Sequence, residues 1–183
     1  GGADVSGTLD LDTVAPTATS YSLVTDDGVS GSDQIGTDST PELTFAFSEA
    51  IYGTNADVTV LDPTGDPVTP DSIAGFGTST LTITVSTPLV EEGQYTVTLK
   101  GTATVTDLAG NALNGGVDEV RHFTYDSHGP VVTSYSLTED RGASSSNQLT
   151  NDTTPVLTFV FDEAVFGTAA DVTVTDPTGD PVT

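Results

Sequence analysis

The chain has 183 residues, of which 27 are acidic and three basic (Lys100, Arg121, Arg141), giving a formal charge of −24; 35% are hydrophobic, and Cys, Met and Trp are absent. Such a surface repels nucleic acid and anionic membranes, so neither is an expected partner, and no disulfide or thiolate metal site can form. No apolar run approaches the roughly 20 residues that cross a bilayer, so no membrane insertion is expected.

The first residues make sense only beside a later stretch. Gly1, Gly2, Asp4, Leu9, Leu11 and Asp12 match Gly115, Gly116, Asp118, Phe123, Tyr125 and Asp126 at a constant offset of 114. The same offset carries Asp12 to Thr69 onto Asp126 to Thr183, with Tyr21 on Tyr135, Pro41 on Pro155 and Asp57 on Asp171. A fixed period of domain length predicts tandem domains rather than a solenoid. Residues 1–12 are read as the last strand of a preceding unit, 13–126 as a complete unit and 127–183 as the first half of the next.

Within the complete unit the apolar residues alternate at a period of two, and no helical period occurs. Thr17 to Val24 predicts a first strand, closed by Asp26-Asp27-Gly28. Glu42 to Phe47 and Asp57 to Leu61 predict two more, the latter ending in Asp62-Pro63-Thr64-Gly65, which places Pro and Gly where a β-turn uses them. Ser79 to Ser86, Gln94 to Leu99 and Val117 to Tyr125 supply further strands, and Pro67 to Thr69 and Thr102 to Val105 short pieces. The expectation is all-β: tandem immunoglobulin-like sandwiches of about seven to eight strands per unit. Leu89, six residues before Tyr95 at the head of an alternating strand, has the spacing of a tyrosine corner, in which the phenol bonds back to the chain. An ordinary half-buried strand tyrosine is the competing reading.

Phe45 to Ala50 (FAFSEA), Asp57 to Val60 (DVTV) and Thr106 to Asn111 (TDLAGN), with the opening Asp12 to Pro16 (DTVAP), resemble the bacterial Ig-like repeats of very large cell-surface proteins. Similar repeats form the extender regions of biofilm-associated and repeats-in-toxin type adhesins and occur in surface-layer proteins. The resemblance implies a secreted, extracellular stalk of tandem repeats stiffened by calcium, with neighbouring repeats of the same polypeptide as partners. In the second copy Ser48 becomes Asp162 and Val14-Ala15 becomes His128-Gly129, changes that leave the pattern intact.

Calcium takes six to eight oxygens from carboxylates, carbonyls and water gathered by loops. Two junction groups are the candidates: Asp10, Asp12, Asp26, Asp27 and Asp38 at the first, and Asp107, Asn111, Asp126, Asp140 and Asp152 at the second. Asp107 and Asn111 also suit a turn closed by their own side chains, which is compatible with ligation. Asp62 and Asp66, repeated as Asp176 and Asp180, read as turn chemistry.

No catalytic constellation is present. The two histidines, His122 and His128, have no partner motif, and nucleophile-elbow, phosphate-loop and zinc spacings are absent. The Asn151-Asp152-Thr153 glycosylation pattern is lost in the first copy, where Thr37-Asp38-Ser39 stands. A non-enzymatic stalk module is therefore the expected function. The alternatives are a subunit of a self-assembling filament or surface layer, and a glycan- or surface-binding module reading with Thr-rich strands such as Leu81 to Val85.

Overall fold

The structure is a computed structural model that describes residues 10–102, 104–138 and 148–181. It divides into two units, the first ending at Ser127 and the second beginning at His128.

Among its described residues the first unit contains nine strands: β1 (Ala18–Leu23), β2 (Ile35–Gly36), β3 (Glu42–Ile51), β4 (Val58–Leu61), β5 (Pro67–Val68), β6 (Ser72–Ala74), β7 (Thr78–Thr84), β8 (Gly93–Leu99) and β9 (Glu119–Tyr125). They form a four-stranded sheet in the order β1-β3-β7-β6 and a five-stranded sheet in the order β2-β9-β8-β4-β5. All pairs are antiparallel except β2 with β9. The all-β, immunoglobulin-like sandwich expected from alternation is the observed fold. Two strands differ from expectation for a physical reason: β2 and β6 span two and three residues, too short to show a period. The short strand expected at Thr102 to Val105 is not among these strands; there the Val105 amide donates to the Thr102 carbonyl at 3.1 Å.

Alternation sorts each strand into an inner and an outer row. Leu43, Phe45 and Phe47 of β3 and Leu81 and Ile83 of β7 are buried from the first sheet; Val58, Val60, Tyr95, Val97, Leu99 and Phe123 are buried from the second. Each large side chain so enclosed contributes about 1.5–3 kcal/mol of transfer free energy. Tyr95 and Phe123 stack across the β8–β9 pair with centroids 5.0 Å apart.

The tyrosine corner forms. The Tyr95 hydroxyl donates to the Glu91 carbonyl at 2.7 Å, and Leu89 lies buried beside it. Gly93, which opens β8, has φ +126, and a Cβ there would sit 3.1 Å from the Pro63 ring, so both backbone and space require glycine.

The second unit contains β10 (Val132–Thr138) and β11 (Val156–Phe161), paired antiparallel. Its register repeats that of β1 and β3: Tyr135 faces Phe159 as Tyr21 faces Phe45, and both pairs carry a bulge at the matching place. Leu157 and Phe159 are 44% and 49% exposed where Leu43 and Phe45 are fully buried.

Candidate metal centre

Three elements of the first unit bring carboxylates together. Asp12 opens the segment that leads into β1, where its Oδ1 accepts the Val14 amide at 3.0 Å. Glu49 lies near the end of β3, and Asp107 in the loop between β8 and β9. One carboxylate oxygen from each lies within 4.8 Å of the other two.

The loop holding Asp107 is built by that side chain. The Asn111 amide donates to Asp107 Oδ1 at 2.8 Å and the Asn111 side-chain amide to Oδ2 at 2.7 Å. The Asp107 amide in turn donates to the Asn111 carbonyl at 3.0 Å. Asn111 Nδ2 also reaches the Asp12 carbonyl at 3.3 Å, which ties the entering segment to the loop. Further along, the Asn114 amide donates to Pro16 O at 2.9 Å, and Thr17 and Ser48 exchange bonds at 3.0 and 2.9 Å. Residues 12–17 are thus stitched to their own unit at several points.

The bulge in β3 supplies the third carboxylate. Register shifts between Ala46 and Ile51, so the alternation that buries Phe45 and Phe47 does not continue through Ser48 and Glu49. In the second unit Asp162 replaces Ser48 and keeps the stitch, accepting the Val131 amide at 2.7 Å.

Electrostatics mark Glu49 as the strained member. Desolvation, then the neighbouring charges of Asp12 and Asp107, push its carboxyl above the ordinary glutamate range. Asp107 moves the other way: burial works to raise it, but the bonds from the Asn111 side chain and from the amides of Asn111, Gly110 and Ala109 outweigh burial and hold it low. Asp107 is 3% exposed. Arg121 pairs with Glu119 at 2.6 Å, and among the described residues no Lys or Arg lies within salt-bridge reach of the three carboxylates.

The arrangement suits a hard cation. Oxygens at 2.3–2.6 Å from one Ca2+ stand at most about 5 Å apart, and the three carboxylates satisfy that limit. Backbone carbonyls and water would complete the shell.

The other predicted ligands lie elsewhere. Asp10 is exposed in the segment before Asp12. Asp26 Oδ2 accepts the Gln34 amide at 3.0 Å, Asp27 accepts the Thr37 amide and hydroxyl at 2.8 Å each, and Asp38 Oδ1 accepts the Thr40 amide and hydroxyl. These three close loops with their own side chains. Asp126 is half-buried at the end of β9, where its amide donates to the Gly36 carbonyl at 3.1 Å. Asp152 is half-buried and accepts the Thr154 amide at 2.9 Å. Asp140 lies outside the described residues. Of the predicted ligands the structure brings Asp12, Asp107 and Asn111 together, joining members of the two separate groups. Glu49 was missed; its signal was the break in alternation after Phe47.

Asp62 and Asp176 close equivalent turns, each accepting from the Thr two residues on and the Asp four residues on. His122 lies on β9, its Nδ1 3.2 Å from the Thr96 hydroxyl.

Residues 12–125 match the family described as Bacterial Ig-like domain. No curated protein matches the chain. Among solved structures, the chain is similar to surface layer protein SbsC, domains 1–6, at 22% identity over 70% of this chain and 15% of that one, with a TM-score of 0.41. It is also similar to the N-terminal part of the bacterial S-layer protein SbsC, at 18% identity over 93% and 33% of the two chains, with the same TM-score of 0.41. The chain therefore spans a third or less of the length of either structure.

Proposed function

Because the chain belongs to the bacterial Ig-like domain family, we propose that it is an extender segment of a secreted bacterial surface adhesin, a stalk of tandem sandwiches in which calcium stiffens the entry to each unit. The observation that carries the reading is the meeting of Asp12, at the start of the entering segment, with Glu49 and Asp107 of the body it enters. A cation there offsets the mutual repulsion of three carboxylates and holds residues 12–17 against the sandwich. It would then limit the swing of the connection between units and lengthen the array.

Calcium titration by calorimetry, with thermal melting and small-angle scattering, tests this. Binding to the folded state alone adds about 2.7 kcal/mol at a hundredfold excess over Kd. For a unit of this size that is a rise in Tm of roughly 10 °C. The maximum dimension should shorten when a chelator is added. Melting and scattering curves that ignore the chelator sink the proposal.

A further inference from the structure

Five asparagines occur in the chain, and only Asn114 is followed by glycine; Ala, Gln or Asp follows Asn55, Asn111, Asn147 and Asn151. The difference is chemical. An asparagine amide is lost when the next backbone nitrogen attacks its Cγ, and a Cβ on that next residue obstructs the approach, whereas glycine has none. At this pair the bond from Gly115 N to Asn114 Cγ would form and the Cγ–Nδ2 bond break, with Nδ2 leaving as ammonia and taking up the Gly115 proton. Water then opens the cyclic imide at one carbonyl or the other, which leaves aspartate or isoaspartate at 114.

The fold holds Asn114 where that step cannot start. Its backbone is left-handed, with φ 50 and ψ 27, inside the short turn Leu113–Gly115 that precedes β9, a conformation that asparagine tolerates better than most residues. At this ψ the Gly115 nitrogen lies on the far side of the Cα–C bond from Cβ, so Cγ is out of its reach until that bond rotates. Three hydrogen bonds oppose the rotation. The Gly115 amide donates to the Ala112 carbonyl at 3.0 Å, the Asn114 amide to the Pro16 carbonyl at 2.9 Å, and Asn114 Nδ2 to Glu119 Oε2 at 2.8 Å. The turn nevertheless lies at the surface: Asn114 is half-buried, Gly115 is exposed, and nothing lies within 4 Å of the place a Gly115 Cβ would take. Once the turn opens, neither water nor space limits the reaction.

We propose that Asn114–Gly115 is a latent self-modification site, closed by the fold and converted to aspartate or isoaspartate when the turn opens. The conversion is one-way, because the ammonia is lost to solvent. Its product cannot restore the native contact. A carboxylate then stands where Nδ2 donated to Glu119, and Glu119 is only 9% exposed, so two like charges replace a charge-assisted hydrogen bond. Arg121, 2.6 Å from Glu119 Oε1, already balances the carboxylate that is there. Isoaspartate also reroutes the backbone through the side chain, which displaces the Asn114 amide from Pro16 and loosens the entering segment. A unit held open long enough is thereby marked and closes less firmly afterwards.

Peptide mapping by mass spectrometry tests this on the full chain, incubated at mildly alkaline pH in buffer and in urea. In urea Asn114 should convert fastest of the five asparagines, and Gly115→Ala should slow it several-fold by restoring the Cβ. In buffer its conversion should be slower by about tenfold or more, the factor given by an opening free energy of about 1.4 kcal/mol. Asn114→Asp carries the product's charge on a backbone that aspartate also tolerates, and it should melt several degrees below the parent. The proposal is overturned by conversion as fast in buffer as in urea, by an Asn114 no faster in urea than the other asparagines, or by an Asn114→Asp chain that melts with the parent. Chelator in every sample keeps the outcome independent of the calcium reading.

Discussion

Glu49 and Asp107 sit in one cluster yet titrate in opposite senses, and pH separates them. The raised Glu49 carboxyl means that the folded chain holds this proton more tightly than the unfolded chain. With metal removed, stability should therefore rise as pH falls towards the unfolded glutamate value of about 4.3. Asp27, Asp57, Asp62 and Asp107 are held below the ordinary range. Their contribution is present above the unfolded aspartate value of about 3.9 and is lost as pH falls through their folded values. Melting of chelator-treated protein should show a mildly acidic maximum followed by a steep acid loss. In Glu49→Gln the rise should vanish and the acid loss should stay. That variant should also melt higher than the parent without calcium, and lower with it. A parent curve that falls monotonically from neutral pH would contradict the assignment.

Short elements carry more of this fold than their length suggests, and the turn at Asn55–Asp57 shows how. Thr54 donates its amide and hydroxyl to Asp57 Oδ2 at 2.8 and 2.9 Å, and the Lys100 amide donates to the Asp57 carbonyl at 2.9 Å. Lys100 also reaches the Ala56 carbonyl at 3.1 Å. The buried Asp57 thereby joins the start of β4 to the end of β8. Asp57→Ala leaves the Thr54 amide without its acceptor and should cost about 1–3 kcal/mol, read as a fall in urea midpoint without change in slope. The second unit repeats the device at Thr168 and Asp171. At this scale the sequence was legible where a period or a spacing exists. The strands of five or more residues follow from alternation, and the tyrosine corner follows from the distance between Leu89 and Tyr95. Glu49 was only half legible: the alternation breaks after Phe47, but which way the residue points is decided by a bulge set in the pairing with β7. The pairing of Asp12 with Asp107 was hidden for another reason. Ninety-odd residues separate them, and the offset of 114 suggests the neighbouring unit's loop as readily as the unit's own.

Across the whole molecule, two cation effects must be separated: general screening of a charge of −24 and occupation of one site. Screening depends on ionic strength alone, with a Debye length near 10 Å at 0.1 M, and acts on every loop carboxylate. It should raise the Tm of the parent and of Glu49→Gln by similar amounts as sodium chloride is added. Site binding depends on the identity of the ion. Millimolar calcium adds little ionic strength, so any rise beyond that in sodium chloride matched for ionic strength belongs to the site. It should appear in the parent and be largely lost in Glu49→Gln. Magnesium should reproduce only a small part of it, because it demands near-octahedral geometry at 2.0–2.1 Å and gives up its water reluctantly. The cluster instead offers three protein carboxylates spread over as much as 4.8 Å. Equal responses to calcium and magnesium, or an undiminished calcium response in Glu49→Gln, would reduce the ion's role to screening. On the proposed reading, a stalk of such units would then owe its extension to self-repulsion alone.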